Sequence, residues 1–182
     1  MDSQHEIPPV GETVSLGFAN FSVFVNSEGA VVASGFGSLS EIAAGRPYSP
    51  GSLPDRVRDA LESWKDGDFE PIMGVPVMMT ATPKITRLRS ELRKIPAGQV
   101  VTYSELAERS GLAGLPRLAG RACSENPCLL FVPCHRVVAA TNIGPPVIPG
   151  FYAGTGAVKA QLLTHEGVAV KGDPPRDDAS GF

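Results

Sequence analysis

The feature that most constrains this chain is a polar triplet, Cys134-His135-Arg136, inside an otherwise apolar stretch, residues 129–138. Pro133 stands directly before the triplet and cannot extend a helix or a central strand. Three polar side chains between buried segments cost free energy unless they have partners or a chemical task. A thiol beside an imidazole is typical of a cysteine nucleophile and its base. The alternative is an inert buried cysteine that adjoins a core histidine.

Length and composition indicate a globular chain with one domain or two small ones. The chain has 182 residues, of which 42% are hydrophobic and 19% charged, and this is enough to bury a core. Its apolar runs are too short to cross a bilayer, and its acidic N-terminus lacks the pattern of a signal peptide. We therefore expect no membrane partner.

The cysteines indicate a reducing compartment. Cys123, Cys128 and Cys134 lie within twelve residues, and the first 122 residues contain none. An odd, clustered number argues against a disulfide framework and favours an intracellular location, cytoplasmic or nuclear. The spacing fits no zinc pattern, so we expect no metal.

Charge is unevenly distributed along the chain. Residues 1–83 carry four basic and eleven acidic side chains, whereas residues 84–121 carry eight basic and three acidic ones. A basic segment in an acidic protein can steer a polyanion to one face. The alternative is a solvated helix face of mixed charge.

The sequence of the first half predicts a scaffold of strands and one helix. Strand-like runs at residues 13–18, 22–25 and 31–34 predict a hairpin or meander, with a turn at residues 26–29. Residues 35–51 read as a loop. A helix is predicted from Pro54 to Gly67, followed by an edge strand or extended linker over residues 69–79.

The second half reads as mostly helical. Thr82 and Pro83 open a helix over residues 84–94, and a last helix covers residues 157–165. Between them, Ser104 is predicted to cap a helix at 105–110, which a glycine-containing turn joins to a helix at 115–124. This order is typical of a helix-turn-helix, although two short helices of a bundle give the same pattern. Arg117 falls in the first turn of the second helix, where a recognition helix meets nucleic acid.

These patterns predict an α+β fold in three parts. A small N-terminal α/β domain of antiparallel strands plus a helix covers residues 1–80. A mostly helical C-terminal domain covers residues 81–170. A polar, Pro/Gly/Asp-rich tail at 171–182 is predicted to be disordered.

Residues 82–167 resemble the catalytic domain of the O6-alkylguanine-DNA alkyltransferases, also called methylated-DNA–protein-cysteine methyltransferases. The most specific motif is Pro133-Cys134-His135-Arg136-Val137-Val138. The other matching motifs are Ile95-Pro96-x-Gly98, Tyr103-x-x-Leu106-Ala107, Arg117-x-x-Gly120, Asn126-Pro127, Tyr152-x-Gly154 and His165-Glu166-Gly167. All follow the family's order with similar spacing, and the resemblance implies a C-terminal domain of winged-helix type.

The resemblance implies a chemistry for three residues. Cys134 would be the acceptor that takes the alkyl group from guanine O6. His135, acting through a water, would be its base, and Glu166 would orient and charge-stabilise that histidine, which generalises the logic of a catalytic triad. The thioether product is stable, so the protein would act once, as a monomer and without a cofactor.

The resemblance also implies a DNA-binding mode. Double-stranded DNA containing O6-alkylguanine would be bound through its minor groove, and the damaged nucleotide would be flipped out of the stack. Arg117 would fill the gap, Tyr103 would act at the phosphate and the base, Tyr152 would form a pocket wall, and Asn126 would fix the turn before the active site. The further DNA contacts would be Pro116, Gly120 and Arg121, and the pocket would include Val137, Ala153 and Gly154.

Three departures from the family stand out. Lys84-Ile85 and Leu88-Arg89 occupy positions where the family usually has Phe-Gln and Val-Trp. The loop between Val138 and Tyr152 is longer and rich in proline. The cysteine-free first half offers no thiolate ligand for the zinc site that some members have.

Two other classes of function compete with a direct-reversal DNA repair protein. An alkyltransferase-like protein would bind the lesion and recruit other factors without transfer, but such proteins typically carry tryptophan at the acceptor position. A cysteine hydrolase would fit Cys134 and His135, but it leaves the basic helix-turn-helix unexplained.

Overall fold

The structure, a computed structural model, describes residues 6–150 and 156–171. Its first half is built on four strands: β1 (Val10–Ser15), β2 (Asn20–Val25), β3 (Val31–Phe36) and β4 (Ser49–Pro50). They form one sheet in the order β3-β2-β1-β4. The first three strands pair antiparallel, and β4 pairs parallel with β1. The predicted antiparallel strands are therefore present.

Local turn chemistry sets the ends of these strands. In the β2–β3 hairpin, the side-chain oxygen of Asn26 accepts hydrogen bonds from the backbone N–H groups of Glu28 at 3.1 Å and Ala30 at 3.0 Å. The predicted first strand, residues 13–18, was wrong at both ends. β1 ends earlier because Gly17 turns the chain with a φ of +92°, which glycine adopts without a steric penalty.

Two short helices were missed in the first half. The segment predicted as a loop, residues 35–51, contains α1 (Leu39–Ala43) as well as β4. Ser38 caps α1, because its hydroxyl accepts from the N–H of Glu41 and the Glu41 carboxylate accepts from the N–H of Ser38. The segment predicted as extended contains α3 (Glu70–Met73), which has a proline in its first turn. The N–H groups of a first turn have no partner within the helix, so the N–H that proline lacks removes no hydrogen bond.

The predicted long helix of the first half is present as α2 (Asp55–Lys65). Its buried residues include Val57, Leu61 and Trp64, whose spacing places them on one face of a helix. They join a hydrophobic core that continues into the second half through Leu88 and Phe131. The two halves therefore share one core.

The second half is mostly helical. Its elements are α4 (Pro83–Leu92), β5 (Val101–Thr102), α5 (Tyr103–Arg109), α6 (Pro116–Ser124), β6 (Val137–Val138) and α7 (Gly156–His165). Single 3-10 turns occur at Cys134–Arg136 and Ala140–Asn142. β5 and β6 pair parallel. An α+β fold is thus confirmed.

The predicted pair of helices before the Cys-His stretch corresponds to α5 and α6, joined through residues 110–115. The predicted cap of α5 at Ser104 was wrong. Thr102 caps this helix, because its hydroxyl accepts from the N–H of Glu105 at 3.1 Å and the Glu105 carboxylate accepts from the N–H of Thr102 at 3.0 Å. This capping box starts the helix at Tyr103.

Hydrogen bonds attach the segment before Cys134 to the sheet of the first half. The backbone N–H of Ser34 in β3 donates to the carbonyl of Pro127 at 2.9 Å, and the N–H of Leu129 donates to the carbonyl of Ser34 at 3.3 Å. The Ser34 hydroxyl also donates to the carbonyl of Leu129 at 2.7 Å. Among the helices that the structure describes, none is both long and apolar enough for a membrane span.

Candidate active site

Cys134 begins the 3-10 turn that follows Pro133, and its side chain is buried at 4% exposure. The Asn126 side-chain amide holds this turn in place. Its N–H group donates to the sulfur of Cys134 at 3.2 Å and to the carbonyl of Val132 at 2.8 Å. Its oxygen accepts from the N–H of Cys128 at 3.0 Å. Asn126, which lies just past the end of α6, therefore positions the thiol directly.

The thiol of Cys134 is protonated in its resting environment. Burial raises the pKa of Cys134, because a thiolate is poorly solvated there. The hydrogen bond from Asn126 and the positive charges of Lys159 and Arg89 act in the opposite direction, but they do not outweigh burial. A thiol in this state needs a base before it can react as a nucleophile.

His135, Arg136 and Glu166 form a buried network beside the thiol. The Nε2 atom of His135 bonds to Oε1 of Glu166. The Nε atom of Arg136 donates to the same oxygen at 3.1 Å, and its Nη2 atom donates to Oε2. Nη1 of Arg136 donates to the carbonyl of Ile95 at 2.6 Å. Glu166 lies just past the end of α7, which brings it to a histidine that is 31 positions earlier in the chain.

This network fixes the protonation states of its members. Burial alone would raise the pKa of Glu166, but the charge and hydrogen bond of His135 and the contacts of Arg136 lower it to about 2. Burial is the largest cause that lowers the pKa of His135, and Glu166 only partly opposes it. At neutral pH the carboxylate is thus ionised and the imidazole neutral. Because a carboxylate only accepts hydrogen bonds, Nε2 of His135 carries the proton and Nδ1 is the basic nitrogen.

Lys159 is a residue of the site that sequence reasoning missed. It lies in α7, is almost fully buried, and its Nζ donates to the carbonyl of Val137 at 2.7 Å. Its positive charge favours a thiolate on Cys134. The available signal was a lone lysine between Val158 and Ala160 in an apolar helix, where a charge needs a task or a partner.

The residues predicted to contact DNA lie on α5 and α6. Pro116 and Arg117 are exposed in the first turn of α6, and Gly120 is half-buried one turn later. Arg121 is also exposed, and its Nε donates to the Glu125 carboxylate at 3.0 Å. Tyr103 is half-buried at the start of α5. Burial raises the pKa of Tyr103.

The predicted substrate pocket is described only in part. Val137 is buried, and its carbonyl already accepts the bond from Lys159. Tyr152, Ala153 and Gly154 lie outside the described residues. Within residues 6–150 and 156–171, no three His, Cys, Asp or Glu side chains converge to hold a metal ion.

A buried thiol lies beside a neutral histidine that is paired with an ionised glutamate, and two short helices of a basic segment precede it. This arrangement is typical of a protein with a cysteine nucleophile and a helix-turn-helix. Residues 85–168 match the family described as "6-O-methylguanine DNA methyltransferase, DNA binding domain". This match covers just under half of the chain, and it places residues 85–168 in the O6-alkylguanine-DNA alkyltransferase family, also named methylated-DNA–protein-cysteine methyltransferases.

Curated relatives carry the same family name. The methylated-DNA–protein-cysteine methyltransferase of Metallosphaera sedula is 36% identical over 111 residues, which cover 61% of this chain and 66% of that protein. The one from Shigella flexneri is 37% identical over 119 residues, which cover 65% and 64%, respectively. The matches therefore span just under two thirds of the length of these relatives.

Solved structures extend the likeness to most of the chain at the level of the fold. A Mycobacterium tuberculosis OGT crystallised in complex with DNA is 23% identical and superposes with a TM-score of 0.71, covering 86% of this chain and 92% of that one. An O6-methylguanine-DNA methyltransferase from Pyrococcus kodakaraensis is 24% identical with a TM-score of 0.59, and the coverages are 88% and 99%. The first half therefore shares its fold with family members as well.

Proposed function

We propose that the protein repairs O6-alkylguanine in DNA by transferring the alkyl group to Cys134. The observation that carries this proposal is the buried thiol of Cys134 in the same turn as His135, whose Nε2 is bonded to Glu166. A neutral histidine held in one tautomer by a carboxylate is the arrangement that activates a nucleophile. The family membership of residues 85–168 supports the identity of the substrate.

The proposed reaction is a single displacement. The proton of the Cys134 thiol passes through a water to Nδ1 of His135, and the resulting imidazolium is stabilised by the carboxylate of Glu166. The thiolate then attacks the alkyl carbon, so that a sulfur–carbon bond forms and the carbon–O6 bond breaks. The electron pair of the broken bond stays on guanine, which takes up one proton from solvent, and the imidazolium of His135 returns its proton to solvent. Because nothing cleaves the thioether, each molecule acts once and needs no cofactor.

The positive charge of Lys159 supports the thiolate during this step. Lys159 and Cys134 are both buried, so their attraction is weakly screened by solvent. The hydrogen bond from Asn126 acts in the same direction. Together they lower the free energy of a thiolate that burial otherwise disfavours.

The proposal includes base flipping, because a base inside a duplex cannot reach a buried thiol. The exposed first turn of α6 carries Arg117, which we assign to the gap in the stack, with Pro116, Gly120 and Arg121 along the same helix against the minor groove. Tyr103 would act at the phosphate and the flipped base. The partner is double-stranded DNA, and the protein would act as a monomer inside the cell, where its cysteines stay reduced.

The test is the mass of the protein after incubation with a duplex oligonucleotide that contains O6-methylguanine. We expect a gain of about 14 Da, as one methyl group replaces the thiol proton, located on the peptide that contains Cys134. Cys134→Ala should show no gain, whereas Cys128→Ala is a matched control at another buried cysteine and should still be methylated.

The other outcomes separate the competing functions. Tight binding of the lesion without an adduct would favour an alkyltransferase-like protein that recruits other repair factors. An adduct on Cys123 or Cys128 would show that the acceptor was assigned wrongly. If the protein neither binds the lesion nor gains an adduct, both functions are contradicted.

A further inference from the structure

A buried arginine outside the candidate active site has unused hydrogen-bond donors. Arg89 lies on the apolar face of α4, next to Leu88 and one turn after Ile85, and it is only 3% exposed. Its Nε donates to the carbonyl of Ala122 in α6 at 3.1 Å. This bond fixes the orientation of the guanidinium group, so the remaining two nitrogens point in a defined direction.

Those two nitrogens, Nη1 and Nη2, have no hydrogen-bond acceptor among the residues that the structure describes. Among the described residues, no carboxylate forms an ion pair with Arg89. Glu125 is paired with Arg121, and its charge acts on Arg89 from a longer distance. Burial lowers the pKa of Arg89, which reflects the poor solvation of its charge. A buried and incompletely paired cation is costly, and a bound anion would remove that cost.

Arg89 lines a cavity of about 780 Å³ between the two halves of the molecule. Its walls are largely apolar and include Phe24, Val32, Met78 and Met79. Arg46 and Arg121 add positive charge at the cavity, and Glu6 and Glu125 add negative charge. Arg46 already donates to the carbonyls of Ile42 and Ala43, and Arg121 is paired with Glu125. Arg46 and Arg121 are exposed, so Arg89 is the buried cation among the described residues that line this cavity.

We propose that this cavity binds a small organic anion, a carboxylate or a phosphate monoester with an apolar body. Two oxygens of the anion take the paired donors Nη1 and Nη2 of Arg89, because the planar guanidinium fork matches the geometry of such groups. The apolar body lies against Phe24, Val32 and the methionines, whose flexible side chains adapt to different shapes. Cys134, His135 and Glu166 do not line this cavity. The charge of Arg89 also favours a thiolate on Cys134, but binding of the anion does not require the proposed alkyl transfer.

The test measures binding of three matched probes: 2-naphthoate, 2-naphthyl phosphate and the neutral 2-naphthylmethanol. Titrations followed by protein amide NMR give the dissociation constants and the residues whose signals shift. We expect at least one anionic probe to bind about tenfold or more tightly than the neutral probe, with shifts at Val32 and Met79. The tighter of the two anions identifies the carboxylate or the phosphate as the preferred group.

Variants test whether Arg89 is responsible for binding the anion. Arg89→Met removes the charge at similar length and should weaken binding of the anion to the level of the neutral probe. Arg87→Met, on the exposed face of the same helix, changes the net charge equally and should leave binding unchanged. If Arg89→Met does not fold, Arg89→Lys keeps a charge but loses the fork and should still lose most of the preference for the anion.

Three results would overturn the proposal. They are equal binding of anionic and neutral probes, unchanged anion binding in the Arg89 variant that folds, and no binding of any probe at millimolar concentration. Loss of DNA repair activity is not a readout here, so failure of this proposal and failure of the proposed function are distinguishable.

Discussion

The two halves of the molecule bury different kinds of polar groups. In the described part of the first half, the buried polar side chains are the hydroxyls of Ser22 and Ser34. In the described part of the second half, four buried side chains carry a charge at neutral pH: Arg89, Arg136, Lys159 and Glu166. His135 is buried there as well. The first half therefore has the interior of a scaffold, whereas the second half keeps ionisable groups away from water.

This difference indicates which half carries the reactive groups. A buried hydroxyl needs one or two local partners, and Ser22 finds them in Thr13 at 2.8 Å and the carbonyl of Gly37 at 2.6 Å. A buried ion needs a full set of hydrogen bonds and an opposite charge. Glu166 and Arg136 meet that requirement together, and His135 shares the same carboxylate. Of the buried ions in the described part of the second half, Lys159 and Arg89 act on the thiol of Cys134 through their charge.

The largest expected effect comes from breaking the ion network of the second half. Glu166→Gln leaves Arg136 buried without its counter-charge, and we expect a loss of roughly 3–5 kcal/mol in the free energy of unfolding. The transfer rate should fall as well, because His135 loses the carboxylate that fixes its tautomer. Urea unfolding and single-turnover kinetics measure the two effects.

The matched variant in the first half is Ser22→Ala. It removes a buried hydroxyl but no charge, so the expected loss is about 1 kcal/mol, with an unchanged transfer rate. Similar losses of stability in Ser22→Ala and Glu166→Gln would contradict the proposed difference between the two halves.

Acid should destabilise the protein through the ionisable groups that are buried in the second half. The pKa of His135 and that of Glu166 are both lower in the folded protein, so the unfolded chain takes up these protons at higher pH. Stability should therefore fall as the pH drops below about 6.5, when unfolded histidine is protonated. Between about pH 4.5 and 2, protonation of Glu166 should lower the free energy of unfolding by about 3 kcal/mol more.

Thermal unfolding at stepwise lower pH measures this loss. The buried hydroxyls of the first half do not titrate in this range. Stability that stays level from pH 7 to pH 3 would show that Glu166 and His135 are not coupled as described.

A smaller effect is expected when the charge of Lys159 is removed. Lys159→Met should raise the pKa of Cys134 further and slow alkyl transfer roughly tenfold, which corresponds to about one unit of thiol pKa. The pH dependence of the single-turnover rate should shift to higher pH. Lys159→Arg keeps the charge and should restore part of the rate. An unshifted pH profile in Lys159→Met would mean that this lysine has only a structural role.

The smallest expected effect on stability comes from a surface arginine. Arg117→Ala should change the free energy of unfolding by less than about 0.5 kcal/mol. It should weaken binding of duplex DNA that contains the lesion, because no side chain then fills the gap that the flipped base leaves in the stack. Arg58→Ala is the control in the first half, where Arg58 pairs with Glu12 at the surface, and it should leave DNA binding unchanged.

Sequence alone predicted the parts of the site that are local in the chain. Cys134 and His135 adjoin, and the short-range signals of Pro83 and of the glycines around α5 and α6 marked the helices correctly. The cap of α5 was also readable, since Thr102 and Glu105 have the spacing of a capping box, but Ser104 was chosen instead. The prediction was wrong because Ser104 lies close by in the chain and has a hydroxyl that can cap a helix as well.

The parts that depend on tertiary contacts were not predictable from the residues themselves. Glu166 was assigned only through the family resemblance, because nothing in the sequence pairs it with a histidine 31 positions away. The roles of Lys159 and Arg89 were missed, although each is a charge at a position where helical periodicity demands an apolar residue. Such misplaced charges are the signal to look for, but their partners become visible only in the fold.

The bonds between β3 and the segment before Cys134 have a consequence for how the protein opens. Because the amides of Ser34 and Leu129 are bonded across the two halves, the turn that carries the thiol cannot detach without breaking the edge of the sheet. We expect these amide protons to exchange with solvent only through global unfolding. The sheet and the reactive turn thus form one cooperative unit, and brief local fluctuations do not expose the cysteine to stray electrophiles.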